Sequence, residues 1–472
     1  MPANNRSAHP FYIIAGTMVC LLALSYVNNS FSLQGYRFRK VDLLADIRKD
    51  IPAPARQQPP LAQRPPAPDT VDAADSLQAA QMPAHARPSY DFMTYTGIQE
   101  NFDTASGGMQ HFLHALQELK EGKRKKVRIA YFGDSMIEGD LITSDLRDSL
   151  QAIFGGAGVG FVPVTSIVAA FRGTIRHTFS DNWKDYHFRN NPPEDVLLGL
   201  SGHAFFPEAE SWAKFSPVQR RRLDRFKKVS VFYGPVAGSC NVVINNKAYT
   251  LTGTAPLNEL TLQQDTLQRS VLLKYAGGAP LPFYGLSFEG DTGIYVDNFS
   301  FRGISGVELG KLRSRMLRQM QHRHPYDLVV LHYGANVLFR PEATDYSWYE
   351  QLMQRVLASL RNNWPRTSFL IVGTADKAYK KADRYVTAPG VPALLKVQHA
   401  LAREHGTAYW NLYAAMGGEG SMTHWVEGDT ILANKDYTHF NRHGAARVGA
   451  LLYKAIMDEF KQEVHPSYSG SY

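Results

Sequence analysis

Residues that together could activate a hydroxyl group occur in two distant stretches of the sequence. In residues 130–142, AYFGDSMIEGDLI, Ser135 follows an apolar run and precedes a polar one. In residues 434–449, NKDYTHFNRHGAARVG, Asp436 stands three positions before His439. A serine hydroxyl reacts slowly at neutral pH unless an imidazole removes its proton, and a carboxylate must orient that imidazole. The two stretches therefore predict nucleophilic attack on an acyl group by Ser135, with His439 as the base and Asp436 as its partner.

Each stretch also has a simpler explanation. Serine is a favoured N-cap residue, and the helical spacing in LITSDLRDSLQAIFG places Ser135 at a predicted helix N-terminus. At such a terminus the N–H of Ser135 would also stabilise developing negative charge. A single D-x-x-H motif is more often a solvated loop than a catalytic pair. The presence of both Asp436 and His439 nevertheless favours the nucleophile over the cap.

Two more loops could hold the negative charge that develops on a carbonyl oxygen during acyl transfer. The segment HYGANVL places the amide of Asn336 just after an apolar strand, and RGISG offers the backbone N–H of Gly306. Asn and Gly also occur in turns for conformational reasons alone. All four loops, however, follow predicted strands, and the carboxyl ends of parallel strands meet at one edge of a sheet. We therefore expect the four loops to converge.

The segments that must position these loops alternate between strands and helices. KVRIAYFG, YDLVVLHYGAN, SFLIVGT and TAYWNLY are apolar strands, and amphipathic segments between them have helical spacing. Strands buried on both faces and separated by helices predict a parallel sheet in an α/β layered fold. From residue 229 to residue 301 the chain instead shows short strands between polar or Gly-rich turns, which predicts an all-β sandwich. Because the parallel pattern resumes afterwards, the sandwich is predicted to be an insertion.

This ordered set of loops resembles the SGNH (GDSL-type) hydrolases, in which four sequence blocks carry Ser, Gly, Asn and His. The triplet ending at Ser135 is similar to the first block, Gly306 to the second and Asn336 to the third, and the D-x-x-H motif is similar to the last. The resemblance implies that Ser135, His439 and Asp436 are catalytic. It also implies an oxyanion hole formed by the N–H groups of Ser135 and Gly306 and the amide of Asn336.

The resemblance further implies a three-layer, flavodoxin-like hydrolase domain. Two departures from the family pattern are Val337, which stands where the family usually has Asp, and the first block GDSM in place of GDSL. We predict no metal and no other cofactor. His177, His187 and His203 lack the spacing of metal ligands, and the sequence has no phosphate-binding or dinucleotide-binding fingerprint.

The N-terminal part of the sequence predicts a membrane anchor. Phe11–Val27 is an uncharged apolar run near the minimum length for a membrane span. A cleaved signal peptide is the alternative, although LSYVNNS lacks the small residues of a cleavage site. Arg37, Arg39 and Lys40 follow the run, so the distribution of positive charge leaves the orientation open. We expect an extracytoplasmic, periplasmic body held at the inner membrane.

The predicted organisation combines this anchor with a linker and two globular parts. The parts are a tail (1–10), the anchor (11–27), a juxtamembrane segment with a Pro/Ala/Gln-rich linker (28–88), a discontinuous SGNH hydrolase domain (89–160 and 294–465) and an inserted β-rich module (161–293). The 472 residues carry a formal charge of +8 with scattered basic residues, which does not predict nucleic-acid binding. Cys20 and Cys240 are the only cysteines, so no disulfide is predicted within the body.

These features predict a serine esterase that acts on O-acetyl esters of a cell-envelope glycan such as peptidoglycan. A β-module inserted into a tethered chain resembles the peptidoglycan O-acetylesterase branch, where the insert is similar to a carbohydrate-binding module. The expected partners are the O-acetylated polysaccharide, the inner membrane and an acyl-transfer protein in that membrane. Two alternatives stay open. One is an O-acetyltransferase that moves acetyl to a polysaccharide, and the other is a non-catalytic glycan-binding envelope protein on a degenerate hydrolase scaffold.

Overall fold

The computed structural model describes the body of the protein and little of the N-terminal part. The described residues are 32–33, 36–37, 90–100, 108–224, 226–263 and 270–464. The predicted tail and the predicted anchor at Phe11–Val27 lie outside them, as does the linker except for Ser32–Leu33 and Tyr36–Arg37, which pair as short antiparallel strands. Within these ranges, no helix combines the length and apolar character needed to cross a membrane. The anchor therefore stays a prediction.

Five parallel strands form the central sheet. Numbered along the chain, strands 1 to 5 are Lys126–Gly133, Gly293–Ser300, Leu328–His332, Ser368–Gly373 and Ala408–Asn411. Their spatial order is 2-1-3-4-5, and the short strand Ile98–Gln99 pairs antiparallel with strand 5 at the edge. This is the flavodoxin-like order, in which ligands bind outside the carboxyl ends of strands 1 and 3. The predicted α/β fold is confirmed, and Ser135 and Asn336 follow these two neighbouring strands.

Helices cover both faces of this sheet, because successive strand residues point to opposite sides. In strand 1, Val127, Ile129 and Tyr131 join one core, while Ala130 and Phe132 join the other. The helices of the first core are Gln110–Lys120, Thr143–Phe154 and Arg442–Val464, and those of the second are Ser314–Arg323, Ser347–Asn363 and Gly390–Glu404. Each helix buries one apolar stripe against the strands. The result is the predicted three-layer arrangement.

Several shorter elements lie in the loops between the strands and helices of the layers. They are the short α-helices Leu412–Met416 and Ser421–Glu427, the 3₁₀ helices Glu138–Asp140 and Val307–Lys311, and a hairpin of Ala378–Lys381 and Arg384–Thr387. The hairpin follows strand 4, and the 3₁₀ helices follow strands 1 and 2. These elements therefore shape the carboxyl edge of the sheet, where the predicted loops converge.

Two antiparallel sheets occupy the chain between strands 1 and 2. One contains Asn258–Gln263, Lys228–Tyr233, Phe283–Glu289, His203–Pro207 and Trp183–His187, with Gly160–Val162 paired to Phe283–Glu289. The other contains Lys247–Leu251, Cys240–Ile244, Val271–Gly278, Trp212–Pro217 and Ile175–Phe179. The two sheets share one apolar core, as in a β-sandwich. This arrangement is consistent with the inserted β-rich module that the sequence predicts.

The first and last strands of the sandwich lie side by side. Gly160 pairs with Phe288, and Phe161 pairs with Ser287, in an antiparallel register. Core residues of the two sheets, such as Phe215 and Leu273 from one and Phe288 from the other, pack together between them. The chain therefore enters and leaves the sandwich at nearly the same place.

A buried ionic cluster joins the sandwich to the parallel sheet. The guanidinium of Arg128 on strand 1 donates from Nε and Nη2 to the two carboxylate oxygens of Glu289, each over 2.8 Å. Asp297 on strand 2 accepts from the N–H of Phe161 at 2.8 Å and from the hydroxyl of Tyr326 at 2.8 Å. Burial alone would raise the pKa of Glu289. The pKa nevertheless lies well below its ordinary value, because Arg128 stabilises the charge. Each buried charge thus has a partner, as stable folding requires.

Candidate active site

Ser135, His439 and Asp436 form one hydrogen-bonded series at the carboxyl edge of the sheet. Ser135 Oγ lies 2.8 Å from His439 Nε2, and His439 Nδ1 lies 2.7 Å from Asp436 Oδ2. Because a carboxylate can only accept, Nδ1 carries the imidazole proton and Nε2 is free to accept the proton of Ser135. This arrangement can generate a serine nucleophile and stabilise the resulting imidazolium.

The loop of Asp436 is held in shape by its own carboxylate. Oδ1 of Asp436 accepts from the backbone N–H groups of Thr438 and His439, both at 3.0 Å. Partial burial acts to raise the pKa of Asp436, but the hydrogen bonds from the backbone and side chain of His439 outweigh it, so the pKa is lowered. Asp436 is therefore ionised at neutral pH, as a partner of a protonated histidine must be.

The α-helix after Ser135 does not begin at this residue, and the prediction of a helix N-terminus there was wrong. Ser135 lies in a turn, a 3₁₀ helix spans Glu138–Asp140, and the α-helix begins at Thr143. Asp140 and Ile142 have left-handed φ angles of 68° and 62°, which interrupt the helical path. Ser135 is therefore not the N-cap of this helix, and the helix dipole does not begin at its N–H.

A buried ion pair fixes this turn and connects it to the sandwich. Asp140 accepts from Nη1 and Nη2 of Arg147 at 2.8 and 2.9 Å, and from the hydroxyl of Thr174 at 2.6 Å. Burial would raise the pKa of Asp140, but the neighbouring guanidinium groups of Arg147 and Arg172 lower it strongly. Thr174 and Arg172 belong to the segment that precedes a sandwich strand, so the sandwich helps to shape the turn after the nucleophile.

Asp134 connects three of the four predicted loops. Its Oδ1 accepts from the N–H of Met136 at 2.9 Å, and its Oδ2 accepts from the amide of Asn336 at 3.0 Å. The same amide nitrogen donates to the carbonyl of Ile304 at 2.9 Å, two residues before Gly306. Burial raises the pKa of Asp134 to about 6, despite these hydrogen bonds. Sequence reasoning did not assign a role to Asp134, although it is part of the quoted triplet.

Asn336 has both amide hydrogens engaged in this arrangement. One is donated to Asp134 and the other to Ile304, and an amide nitrogen has two donors. The structure therefore places Asn336 beside the nucleophile's turn and fixes its orientation. To donate to an oxyanion, as the sequence predicts, this amide must share or exchange one of its two partners.

Gly306 stands where the chain requires glycine. Its φ angle is 96°, and a Cβ atom built on it would lie 2.7 Å from the ring of Tyr333. The left-handed conformation and the close ring both disfavour any side chain. Gly306 also precedes the 3₁₀ helix Val307–Lys311, so its backbone N–H lies on the loop that Asn336 holds through Ile304. The predicted role of this N–H in an oxyanion hole stays a prediction.

Lys377 is a cation near the site that sequence reasoning missed. It follows strand 4, and its Nζ donates to the carbonyls of Ala335 at 3.3 Å and Leu338 at 2.9 Å, on either side of Asn336. It borders a cavity of about 10 Å³ that Asp134 also lines. Burial lowers the pKa of Lys377, while the carboxylates of Asp436 and Asp134 act to raise it. No pattern in the sequence identifies this lysine, because its role depends on which loops the fold brings together.

The three histidines whose spacing does not fit metal ligands take part in packing. His177 is buried against Phe215 and its Nε2 lies 2.9 Å from the carbonyl of Val164, while burial lowers its pKa to about 4. His187 and His203 pack against Phe301. Among the described residues, no three His, Cys, Asp or Glu side chains are grouped so as to hold a metal ion.

A family comparison covers the second half of the body. Residues 274–447 match the model of the GDSL-like Lipase/Acylhydrolase family. The matched range contains Gly306, Asn336, Asp436 and His439. It begins after Ser135, and most of the sandwich lies between this serine and the matched range.

Comparisons with solved structures show a shared fold. A peptidoglycan O-acetylesterase superposes with a TM-score of 0.64 at 21% identity, covering 77% of this chain and 99% of that one. A family two carbohydrate esterase from Cellvibrio japonicus (10% identity, 61% and 98% covered) gives a TM-score of only 0.26. A salicylyl-acyltransferase from a tetracycline biosynthetic pathway (12% identity, 63% and 97% covered) gives a TM-score of 0.29. A comparison with curated proteins gives no match.

The family match, the strand order and the sequence of polar loops agree with one another. The matched residues 274–447 contribute strands 2 to 5 of the sheet, and strand 1 contributes the serine. Residues 274–447 are therefore similar to the GDSL-like lipase/acylhydrolase family, the chain has the SGNH hydrolase fold, and both findings support an ester hydrolase.

Proposed function

We propose that this protein is a serine esterase that removes O-acetyl groups from a cell-envelope glycan such as peptidoglycan. The observation that carries the proposal is the series from Ser135 Oγ through His439 to Asp436, with contacts of 2.8 and 2.7 Å. The choice of glycan is supported by the fold, which resembles that of a peptidoglycan O-acetylesterase over 77% of this chain.

The proposed reaction proceeds through an acetyl-enzyme. Ser135 Oγ attacks the ester carbonyl carbon while His439 Nε2 accepts the serine proton, and Asp436 stabilises the imidazolium. The negative charge on the carbonyl oxygen is held by the N–H groups of Ser135 and Gly306, with Asn336 as a further donor. Cleavage of the ester releases the sugar oxygen, which takes the proton from His439. A water molecule then attacks the acetyl carbonyl carbon and gives a proton to His439. The bond between this carbon and Ser135 Oγ breaks, Oγ takes the proton back from His439, and acetate leaves.

Water is the proposed acceptor because the base is accessible to solvent. The side chains of His439 and Asp436 are 37% and 49% exposed, so water reaches the imidazole of the acetyl-enzyme. An O-acetyltransferase must keep water away from this intermediate until a sugar hydroxyl arrives. The exposure of the pair therefore favours the esterase over the transferase alternative, and the intact Ser, His and Asp set favours an enzyme over a non-catalytic scaffold.

We also propose that Phe11–Val27 holds the esterase at the inner membrane with the body in the periplasm. The apolar run and the following Pro/Ala/Gln-rich linker support this location, which an acetylated envelope glycan requires. Protease treatment of intact spheroplasts tests it. We expect the body to be digested, and a body that resists digestion would place it in the cytoplasm and contradict the glycan substrate.

The activity is tested with the full-length chain in detergent. We expect Ser135→Ala to lower the rate of p-nitrophenyl acetate hydrolysis by at least about 10³-fold, because no other group can form the acetyl-enzyme. Acetate release from O-acetylated peptidoglycan, measured beside acetyl transfer to de-O-acetylated glycan, separates the esterase from the transferase. Equal rates for wild type and Ser135→Ala would contradict the enzyme, and transfer without release would contradict the choice of water.

A further inference from the structure

An open groove of about 430 Å³ lies beside the loop of Asp436 and His439. One wall comes from the hairpin strand Arg384–Thr387, and the other from the helix Ser421–Glu427. A volume of this size is typical of sites that bind small ligands or single sugar units. The groove is much larger than the cavity of about 10 Å³ beneath the nucleophile's turn, so it is the roomier of these two spaces near the site.

Tyr437 connects the groove to the catalytic loop. This residue follows Asp436, and its ring stacks on the ring of Tyr385 with centroids 3.5 Å apart and planes inclined by 7°. Its hydroxyl donates to Glu427. Tyr385 and Glu427 both line the groove, so two of its lining side chains touch the loop that carries the base and its carboxylate. The groove is therefore joined, through the side chain of Tyr437, to the loop that carries His439 and Asp436.

The lining groups suit a polyhydroxylated ligand. They include the hydroxyl of Thr423, the imidazole of His424, the carboxylates of Glu419 and Glu427, and the ring of Tyr385. Carboxylates accept hydrogen bonds from hydroxyl and amide groups, and an imidazole can both donate and accept. A tyrosine ring offers an apolar face to a sugar. A purely lipid or aryl group would leave these polar side chains without partners, which is unfavourable.

The charge of the groove selects among sugar units. The lining contains the carboxylates of Glu419 and Glu427 and no Lys or Arg. A uronic acid or another anionic unit would meet like charges there, whereas an uncharged N-acetylated sugar would not. Glu419 and His424 are exposed at the groove, so both can reach a bound sugar.

We infer that this groove binds an uncharged pyranose unit of the glycan next to the unit whose acetyl ester is held at Ser135. The inference rests on the proposed function and adds a second subsite with a preference for neutral sugars. The specificity of the enzyme then depends on Glu419 and His424, while the chemistry depends on Ser135, His439 and Asp436.

The test compares three substrates with the full-length chain. They are chemically O-acetylated chitotetraose, which is neutral, chemically O-acetylated oligogalacturonide, which is anionic, and p-nitrophenyl acetate, which is too small to fill the groove. We expect His424→Ala to lower kcat/KM for acetylated chitotetraose about tenfold and to leave p-nitrophenyl acetate unchanged. We expect Glu419→Gln to raise kcat/KM for the acetylated oligogalacturonide about threefold, because one like charge is removed.

Asp458→Asn on the last helix is the matched control, since it also removes one carboxylate from the surface, and we expect it to change no substrate preference. Equal melting temperatures exclude loss of folding as the cause of any change. If the wild type releases acetate from the glycans and both groove variants behave like it on all three substrates, the inference is wrong and the esterase proposal stands. If the wild type releases acetate from O-acetylated peptidoglycan but from neither oligosaccharide, the subsite is wrong and the esterase proposal stands. If it hydrolyses p-nitrophenyl acetate but releases no acetate from peptidoglycan either, both proposals are wrong.

Discussion

Among single residues, Asp134 ties the turn of the nucleophile to the loop of Asn336. Its carboxylate is fully buried, and it accepts from Met136 and Asn336. The cost of burying a negative charge there raises its pKa to about 6 from the ordinary value of 3.8. The folded protein therefore holds a proton at Asp134 more tightly than the unfolded chain does.

This proton makes the stability of the protein depend on pH in a defined direction. A carboxyl group with a raised pKa in the folded state contributes stability that is present below the unfolded value of 3.8 and lost as pH rises through about 6. In the variant Asp134→Asn, residue 134 has no carboxyl group to titrate, so this variant is the reference. We expect the unfolding free energy of the wild type, relative to this variant, to fall by about 2 kcal/mol between about pH 4 and about pH 7. Urea titrations at the two pH values measure it, and a constant difference would contradict the buried, protonatable carboxyl.

Tyr437 is the second residue whose contacts decide the geometry of the site. It has a left-handed φ of 52°, which is unusual for a tyrosine, and its carbonyl accepts from the N–H of Ala378 at 3.1 Å. The hydrogen bond to Glu427 raises the pKa of its hydroxyl to about 12. The conformation of the Asp436 loop thus depends on the hairpin as well as on the last helix.

For Tyr437→Phe we expect kcat for p-nitrophenyl acetate to fall severalfold while KM stays unchanged. The ring keeps its stacking on Tyr385, but the loop loses the hydrogen bond to Glu427, so Asp436 and His439 are held less precisely. Steady-state kinetics on both variants, with Tyr453→Phe on the last helix as the control, measures the effect. A change confined to KM would show that the hydroxyl contacts substrate instead of positioning the loop.

The sequence predicted the residues whose function depends on their chemical type. Ser135, Asp436 and His439 could be proposed because only certain side chains can act as nucleophile, carboxylate and base. Lys377 could not be proposed from the sequence, since its two carbonyl partners belong to a loop that follows a different strand. The contact between the amide of Asn336 and the carbonyl of Ile304 could not be predicted for the same reason, because this carbonyl is a backbone group of the Gly306 loop.

At the scale of elements, the short turns after strands 1 and 2 position the site more than the helices do. The predicted strands and long helices are confirmed, because apolar periodicity decides them. The start of the helix at Thr143 was not predicted, because left-handed angles at Asp140 and Ile142 depend on the buried pair of Asp140 with Arg147. Local helical spacing cannot reveal a turn that a distant arginine stabilises.

Gly306→Ala tests the turn after strand 2. A methyl group there meets the ring of Tyr333 in a left-handed conformation, so we expect a loss of about 1 to 3 kcal/mol of unfolding free energy and a lower kcat. Gly310→Ala, in the 3₁₀ helix that follows Gly306, is the matched control, because a Cβ there has only Val356 at 3.6 Å, an ordinary contact. Thermal unfolding and p-nitrophenyl acetate kinetics on the pair measure the difference. Equal behaviour of the two variants would contradict the requirement for glycine at residue 306.

At the scale of the whole molecule, the sandwich and the parallel sheet share buried charges and not only an apolar surface. The pair of Arg128 and Glu289 lies between the two parts, with both side chains buried. Lys126 also contacts Glu289, at 2.6 Å, on the more accessible side. Such a cluster tolerates no rearrangement of one part against the other, because any shift would expose or unpair a buried charge.

For Arg128→Met we expect a loss of about 3 kcal/mol of unfolding free energy, because Glu289 is left with a poorly compensated buried charge. The exposed pair of Lys454 and Asp458 gives the control, and for Lys454→Met we expect a change below about 0.5 kcal/mol. Chemical denaturation measures both. A single transition with a lower midpoint is the expected result for Arg128→Met, whereas an unchanged midpoint would show that the cluster adds nothing to stability.

The side-by-side entry and exit of the sandwich determines how the chain can assemble. Strand 2 pairs with strand 1, yet residues 134–292 separate them, and each doubling of such a loop costs about 0.6 kcal/mol in closure entropy. Once Gly160 and Phe288 have paired, the effective loop shrinks to the short segments outside the sandwich. The folded sandwich therefore holds its two chain ends close together. Its early formation makes the pairing of strands 1 and 2, and so the meeting of the Ser135 and Gly306 turns, entropically inexpensive.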